Sequence, residues 1–249
     1  MKAMQFVLNH YRELSSTNEE ALRRIAEGRA GEGMVFITHH QLHGKGAGQN
    51  HWESEPDKNL TFSLVLEPRF MEPSAQFVIT EMVSLALFDV VKQSLGEEHL
   101  SIKWPNDLYY KDEKLAGILI QNRVVGNQID FSVIGVGLNV NQKVFYSDAP
   151  NPVSMANISG KEEDLTGLLH DFLEKFSHYY EKIKKDIYAL EPAYLSHLYH
   201  FDEWHVYKEA AGEFTAKITG IDAYGRLLLT DDNGNRRKYG FKEVAFLPF

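Results

Sequence analysis

Three stretches of the chain gather residue types that could do chemistry. In the first, Lys103-Trp104-Pro105-Asn106-Asp107 is followed closely by Lys114-Leu115-Ala116-Gly117-Ile118-Leu119. Lys114 stands at the mouth of a strongly apolar run, where a desolvated ammonium is costly unless it is paired or used. Asp107 is the candidate partner. Pro-Asn-Asp is also a good turn in its own right. Such a turn predicts Lys103 and Lys114 on adjoining antiparallel strands.

The second stretch, Gly44-Lys45-Gly46-Ala47-Gly48-Gln49-Asn50-His51-Trp52, is rich in glycine. Glycines expose backbone N–H groups and reach positive φ, so the loop could wrap an anion, with Lys45 adding charge. No Gly-Lys-Ser/Thr follows, so it is not a Walker loop, and no helix pattern opens at once, so it is not a dinucleotide fingerprint. A plain flexible connection would suit the same residues. The third stretch is Ile134-Gly135-Val136-Gly137-Leu138-Asn139. Its two glycines share one strand face, where they remove side chains from the path of something flat or another backbone. Asn139 shares their parity. Tight strand packing accounts for the same pattern.

These stretches need elements to hold them. Ser15-Ser16-Thr17-Asn18, followed by Glu19 and Glu20, reads as a polar cap with acidic residues in the first helical turn. Met34–Ile37 and Leu60–Leu66 read as buried strands, and Gln41–Asn59 between them as a long loop of the kind that is functional or disordered. Ser74–Leu95 and Asp164–Ile187 carry helical apolar periodicity, and strands are predicted around Leu115–Gln121 and Phe131–Val140. After about residue 203, short strands alternate with Gly and Asp/Asn turns, and Asp232-Asn233-Gly234-Asn235 signals a hairpin. The expectation is a mixed α/β domain over residues 1–200 with a small antiparallel β-barrel over 201–249.

The chain has 249 residues, 43% of them hydrophobic, with 26 Lys and Arg against 35 Asp and Glu and a formal net charge of −9. Fifteen Phe, twelve Tyr and three Trp exclude a disordered chain. The absence of cysteine excludes disulfide and thiolate chemistry. No uninterrupted apolar run reaches the roughly 18 residues of a membrane span, and the start of the chain lacks a long apolar signal core, so a cytoplasmic protein with no membrane role is expected. The acidic balance argues against general nucleic-acid binding. His39, His40, His43 and His51, and His197, His200 and His205, lack zinc-site spacing, so no protein-held metal is expected.

Taken in order, Ser16-Thr17-Asn18, Gly44 to Trp52, Lys103 to Asp107, Lys114 to Leu119 and Gly135 to Asn141 resemble the motifs of the biotin–protein ligases. The likeness covers nearly the whole chain and implies the α+β fold of the biotin/lipoate ligase type. It implies ATP-dependent, AMP-forming attachment of biotin to a lysine of a biotin carboxyl carrier domain through biotinyl-adenylate. By that resemblance Ser16, Thr17, Asn18 and Gln41 would hold the ureido ring of biotin. Gly44, Lys45, Gly46, Ala47 and Gly117 would line the biotin site, with Lys45 also reaching the nucleotide. Trp52 would pack at the adenine, and Asn106 and Asn139 would bind nucleotide, phosphate or metal. Lys114 would lie between biotin carboxylate and α-phosphate, Asp107 would orient or help deprotonate the acceptor lysine, and Mg²⁺ would accompany ATP.

The resemblance has departures. Ala47 and Asn50 stand where the family loop often carries Arg. Either Lys45 alone guards the adenylate phosphate and the intermediate leaves more readily, or Asn50, Gln49 and glycine N–H groups replace the missing donors; the expectation leans to the second. Only 15 residues precede Ser16, too few for a helix-turn-helix domain, so a short form without specific DNA binding is expected. The resemblance allows a homodimer. The rivals are a lipoate or octanoate ligase or transferase of the related fold, and a non-catalytic biotin- or nucleotide-binding protein.

Overall fold

Every residue of Leu60–Leu66 is buried, so this strand must be covered on both faces. In the computed structural model, which describes residues 4–48, 50–147 and 151–247, it is an inner strand of a seven-stranded sheet. That sheet contains β1 (Val7–Leu14), β2 (Met34–Gln41), β5 (Leu60–Leu66), β6 (Leu100–Lys103), β7 (Asp107–Tyr110), β8 (Glu113–Val125) and β9 (Gln128–Leu138), in the order β1-β2-β5-β9-β8-β7-β6. The β1–β2 pair is parallel, bridged by helix α1 (Thr17–Ala26); the other pairs of this sheet are antiparallel.

Side-chain alternation divides β5 cleanly. Leu60, Phe62, Leu64 and Leu66 enter the main core, under helices α2 (Phe77–Leu95) and α4 (Leu165–Ile183). Val65 points the other way, into a smaller cluster with Ala21, Phe36, Phe131 and Val133 beneath α1. Thr61 and Ser63 share the Val65 face, and so do Gly135 and Gly137 of β9 with Phe131 and Val133. The α1 face of the sheet is therefore apolar at one end and polar or bare at the other.

Helix α4 begins where Asp164 accepts hydrogen bonds from the N–H groups of Thr166 and Gly167, at 3.0 and 3.1 Å. A single 3-10 turn, Pro73–Ala75, leads into α2, and Gly96 takes a positive φ of 74° at its end. By length and composition the stretch Pro73–Leu95 could cross a membrane, unlike the sequence expectation; here it is mostly buried as the central core helix. Short helices α3 (Met155–Ser159) and α5 (Glu191–Ser196) complete this part.

The C-terminal strands form a sheet of their own. It comprises β10 (His205–Glu209), β11 (Gly212–Ile221), β12 (Leu227–Asp231), β13 (Arg236–Tyr239) and β14 (Ala245–Phe246), in the order β13-β12-β11-β10-β14. All its pairings are antiparallel, as expected, but the edges β13 and β14 do not pair among the described residues. The expected barrel is an open sheet, because β14 is only two residues long and its pairing is to β10. The apolar core continues across the junction: Tyr207, Ile218, Leu227 and Leu229 belong to the same cluster as α2. The Trp104 indole N–H donates to the Gly225 carbonyl at 2.9 Å, and Phe77 lies against Gly225.

Three sequence expectations change. Strand β7 lies between the strands carrying Lys103 and Lys114, so these are not on adjoining strands. The Gln41–Asn59 loop contains a small ribbon of β3 (Gly44–Lys45) and β4 (His51–Trp52). Strand β1 had no sequence signal, since it is an edge strand with no fully buried residue and little alternation to read.

Candidate functional site

A cleft of about 290 Å³ opens over the polar end of the α1 face, between the N-terminus of α1, the β3–β4 ribbon, the β6–β7 turn and the C-terminal sheet. Ser16, Thr17, Asn18, Gln41, Lys45, Gly46, Ala47, Trp52, Asn106, Asp107, Lys114 and Gly117 all line it. Residues from five separated stretches thus converge.

One end is a buried polar network. Gln41 Oε1 accepts from the Thr17 N–H at 2.9 Å and from the Thr17 hydroxyl at 3.3 Å. The Ser63 hydroxyl lies 2.7 Å from Thr17 Oγ1 and 2.5 Å from Asn18 Oδ1. The Asn18 amide donates to Gln121 Oε1 at 3.0 Å and to the Leu119 carbonyl at 3.3 Å. Such a network fixes the side chains before any ligand arrives, since an unpaired buried polar group is costly. Ser16 starts α1 in extended conformation, and its side chain makes no capping bond.

The bare strand face serves this network directly. A methyl group on Gly135 would sit 2.2 Å from Asn18 Oδ1, and one on Gly137 would sit 2.3 Å from Trp52 Cε2. The flat object that needs the glycines is the Trp52 indole, which also lies against Gly117, the β8 partner of Gly137. The buried Trp52 indole N–H has no partner among the described residues.

At the other end Lys114 Nζ lies 2.7 Å from Asp107 Oδ2. Burial pushes the Asp107 carboxyl above its usual value, against the opposing pull of the Lys114 and Lys103 ammoniums. Burial also lowers the pKa of Lys103, whose ammonium stands 4.5 Å from the Tyr109 ring centre and 5.3 Å from that of Phe246. The Asn106 amide donates to the Ile118 carbonyl, while the Ile118 N–H donates to the Asn106 carbonyl at 3.0 Å. This pair clamps the β6–β7 turn to β8.

Three expected residues behave differently. Gly44 is buried under Trp52 and Gln41 and does not line the cleft. Asn139 also lies outside it. Strand β9 ends at Leu138, and the Asn139 amide turns to the carbonyls of Val153 and Lys114, at 3.1 and 3.4 Å, so it braces the Lys114 backbone. Lys45 lines the cleft, but its ammonium is 2.5 Å from Glu19 Oε1. Asn50 closes the ribbon through its backbone, accepting from the Gly46 N–H at 2.8 Å; Gln49 lies outside the described residues.

Other lining residues were not anticipated. Thr61 of β5 lines the cleft, and Ser63 on the same face holds the polar network together; their signal was polar alternation inside an otherwise apolar strand. Tyr109 arrives with the β6–β7 turn beside Lys103, which the sequence had already set near Lys114, and Phe241 and Lys242 come from the turn after β13. Nothing local in the sequence marks Lys242. Among the described residues no group of three or more His, Cys, Asp or Glu could hold a metal, so the donor set does not fit a protein-built metal site.

The arrangement places amide and hydroxyl groups at one end of the cleft and the Lys114 ammonium at the other. The family profile described as the Biotin/lipoate A/B protein ligase family matches residues 11–139. Among curated relatives, the bifunctional ligase/repressor BirA of Bacillus subtilis is 25% identical over 236 residues, covering 92% of this chain and 71% of that one. A biotin–[acetyl-CoA-carboxylase] ligase of Paracoccus denitrificans is 28% identical, covering 89% and 93%. Among solved structures, biotin protein ligase from Aquifex aeolicus in complex with biotin and ATP is 24% identical with a TM-score of 0.78, covering 96% of this chain and 97% of that one, a likeness of fold. The profile spans the helix cap, the glycine loop, the Asp107–Lys114 pair and the bare strand face, and the chain belongs to the biotin/lipoate A/B protein ligase family.

Proposed function

We propose that the chain is a biotin–protein ligase, joining biotin to a lysine of a biotin carboxyl carrier domain with consumption of ATP. The observation that carries this reading is the continuous cleft from the Thr17–Asn18–Gln41–Ser63 network, across Trp52 and its glycines, to Lys114 and Asp107. The network offers amide and hydroxyl groups to the ureido ring. The valeryl chain then runs toward Lys114. The residues named from the family resemblance remain part of this proposal, except that Gly44 and Asn139 act from outside the cleft.

In the first step a biotin carboxylate oxygen attacks the α-phosphorus of ATP and pyrophosphate leaves. Lys114 stands between two anions and relieves their repulsion, and its charge counts most as negative charge builds on the transferring phosphoryl group. In the second step the amine of the acceptor lysine attacks the acyl carbonyl, AMP leaves, and the amine loses a proton. Asp107, whose proton affinity burial has raised, is suited to receive that proton. Trp52 offers its indole face to the adenine region. Magnesium would accompany ATP and would supply positive charge against the triphosphate. A cytoplasmic site of action goes with this reading, and residues 201–249 form the closing module.

The test is biotin-dependent exchange of labelled pyrophosphate into ATP, followed by transfer to a carrier domain. Exchange with biotin supports the reading. Exchange with lipoate or octanoate in its place selects the rival specificity, and no exchange with any acid leaves a non-catalytic binding protein.

A further inference from the structure

Four lysines line the cleft: Lys45, Lys103, Lys114 and Lys242. Lys45 is paired with Glu19 and Lys114 with Asp107. Lys103 sits among the Tyr109, Tyr199 and Phe246 rings and reaches the Tyr109 hydroxyl at 3.4 Å. Lys242 is different. Among the described residues it makes no ion pair and no side-chain hydrogen bond, and its ammonium stands 5.5 Å from the ring centre of its neighbour Phe241.

Lys242 is exposed and lines the rim of the cleft. It occupies the left-handed region, with φ of 66°, in the turn between β13 and β14. A β-carbon is disfavoured there, and such conformations persist where the surroundings enforce them. Glu243 does so: its carboxylate accepts from the Gly240 N–H at 2.6 Å, and its own N–H donates to the Gly240 carbonyl at 3.2 Å. Glu243 is thereby occupied and leaves Lys242 without a local counter-ion. The ammonium comes to rest over the glycine loop, where a methyl group on Gly48 would lie 2.9 Å from Nζ.

The loop itself offers little charge at that point. Ala47 and Gly48 have no polar side chain, and Lys45 is turned to Glu19. Yet the proposed reaction holds a phosphoryl group in this cleft through both steps. We propose that Lys242, reaching across from the C-terminal sheet, is the cation that grips the α-phosphoryl group of the nucleotide, first in ATP and then in the adenylate. Retention of the activated intermediate then depends on the C-terminal sheet staying docked over the glycine loop. This rests on the ligase reading and extends it to a residue outside the segment matched by the family profile.

The experiment compares the full chain with Lys242→Met, which keeps the length of the stem, and Lys242→Arg, which keeps the charge. The readouts are the KM for ATP, the release rate of preformed biotinyl-adenylate without acceptor, and the affinity for biotin alone. A charge-assisted contact of ordinary strength predicts roughly ten-fold faster release and a comparably raised KM in K242M. K242R should return both to within about three-fold of the parent, and biotin affinity should be unchanged in both variants. Release from K242M within two-fold of the parent overturns the proposal. So does a raised KM with unchanged release, which would put the contact on the departing phosphates. Failure of K242R to rescue would make the role one of packing and also overturn it. A parent chain that forms no adenylate is a separate result, visible before any variant is made, and overturns the ligase reading itself.

Discussion

Lys114 Nζ and Asp107 Oδ2 meet at 2.7 Å because strand β8 carries a bulge. Asp107 pairs with Gly117 and Leu108 with Ala116, but Tyr109 pairs with Lys114, so Leu115 is the extra residue. Strict alternation would put Lys114 and Gly117, three positions apart, on opposite faces of the sheet. The bulge resets the alternation, sends Leu115 into the core, and returns Lys114 to the face of Gly117 and Asp107.

Lys114→Ala should reduce adenylate formation by roughly a hundred- to a thousand-fold, the usual effect of removing one group aimed at transition-state charge. Biotin affinity should change much less, because that charge acts chiefly in the transition state. Pyrophosphate exchange and equilibrium binding of biotin measure the two separately. Near-normal exchange by the variant would remove Lys114 from the chemistry.

Asp107→Asn should separate the two steps. Burial holds the Asp107 carboxyl above its usual value, so its base form appears as pH rises through that raised value. Transfer from preformed adenylate should therefore be slower at acid pH and accelerate as the carboxylate appears. Asp107→Asn should be slow throughout and lose that acid limb, while adenylate formation is affected less. Single-turnover transfer across a pH series shows whether the limb belongs to Asp107.

Gly135→Ala and Gly137→Ala should fail at different ends of the cleft. The first puts a methyl 2.2 Å from Asn18 Oδ1, and the second puts one 2.3 Å from Trp52 Cε2. Each forces a shift costing about 1–3 kcal/mol, typical of overpacking. Gly135→Ala should weaken biotin binding with little change in the KM for ATP. Gly137→Ala should do the reverse, by displacing the indole. Identical effects of the two on both ligands would contradict the division of the cleft.

Glu81→Gln should make the fold more stable at alkaline pH. Glu81 is 5% exposed in α2, and burial, reinforced by Glu191, pushes its carboxyl to about 8. The folded state thus holds the proton more tightly than the unfolded state. The stability this provides is complete below the unfolded value near pH 4.5 and is lost as pH rises through about 8. Across that interval the parent should lose up to about 1.4 kcal/mol per pH unit from this group, and the Gln variant should not. Denaturant unfolding at pH 5.5, 7 and 8.5 measures the gap; parallel profiles would show that Glu81 ionises without cost.

Much of the site was legible in the residues themselves, because local chemistry dictates it. Ser16 stands at the N-cap position of α1, though without a side-chain capping bond, Leu60–Leu66 is β5 with the expected bounds, and Gly135 and Gly137 leave space for flat or polar neighbours. Each reading rests on neighbouring residues: a cap on the first turn, a strand face on alternation, a bare face on missing side chains. Partners set by distance in the fold could not be read that way. Asn139 had the parity of a lining residue, but its strand ends one position earlier, so its amide braces Lys114 from behind. Lys45 had the look of a phosphate guard until the first turn of α1 brought Glu19 within reach. Lys242 lies almost two hundred residues from the glycine loop, and the docking of the C-terminal sheet, through its shared core and Gly225 on Phe77 and Trp104, brings its turn over Gly48. Sequence sets which groups are available and which face of an element they occupy; register slips, strand ends and the packing of one sheet on another decide which of them meet, because those depend on the core as a whole.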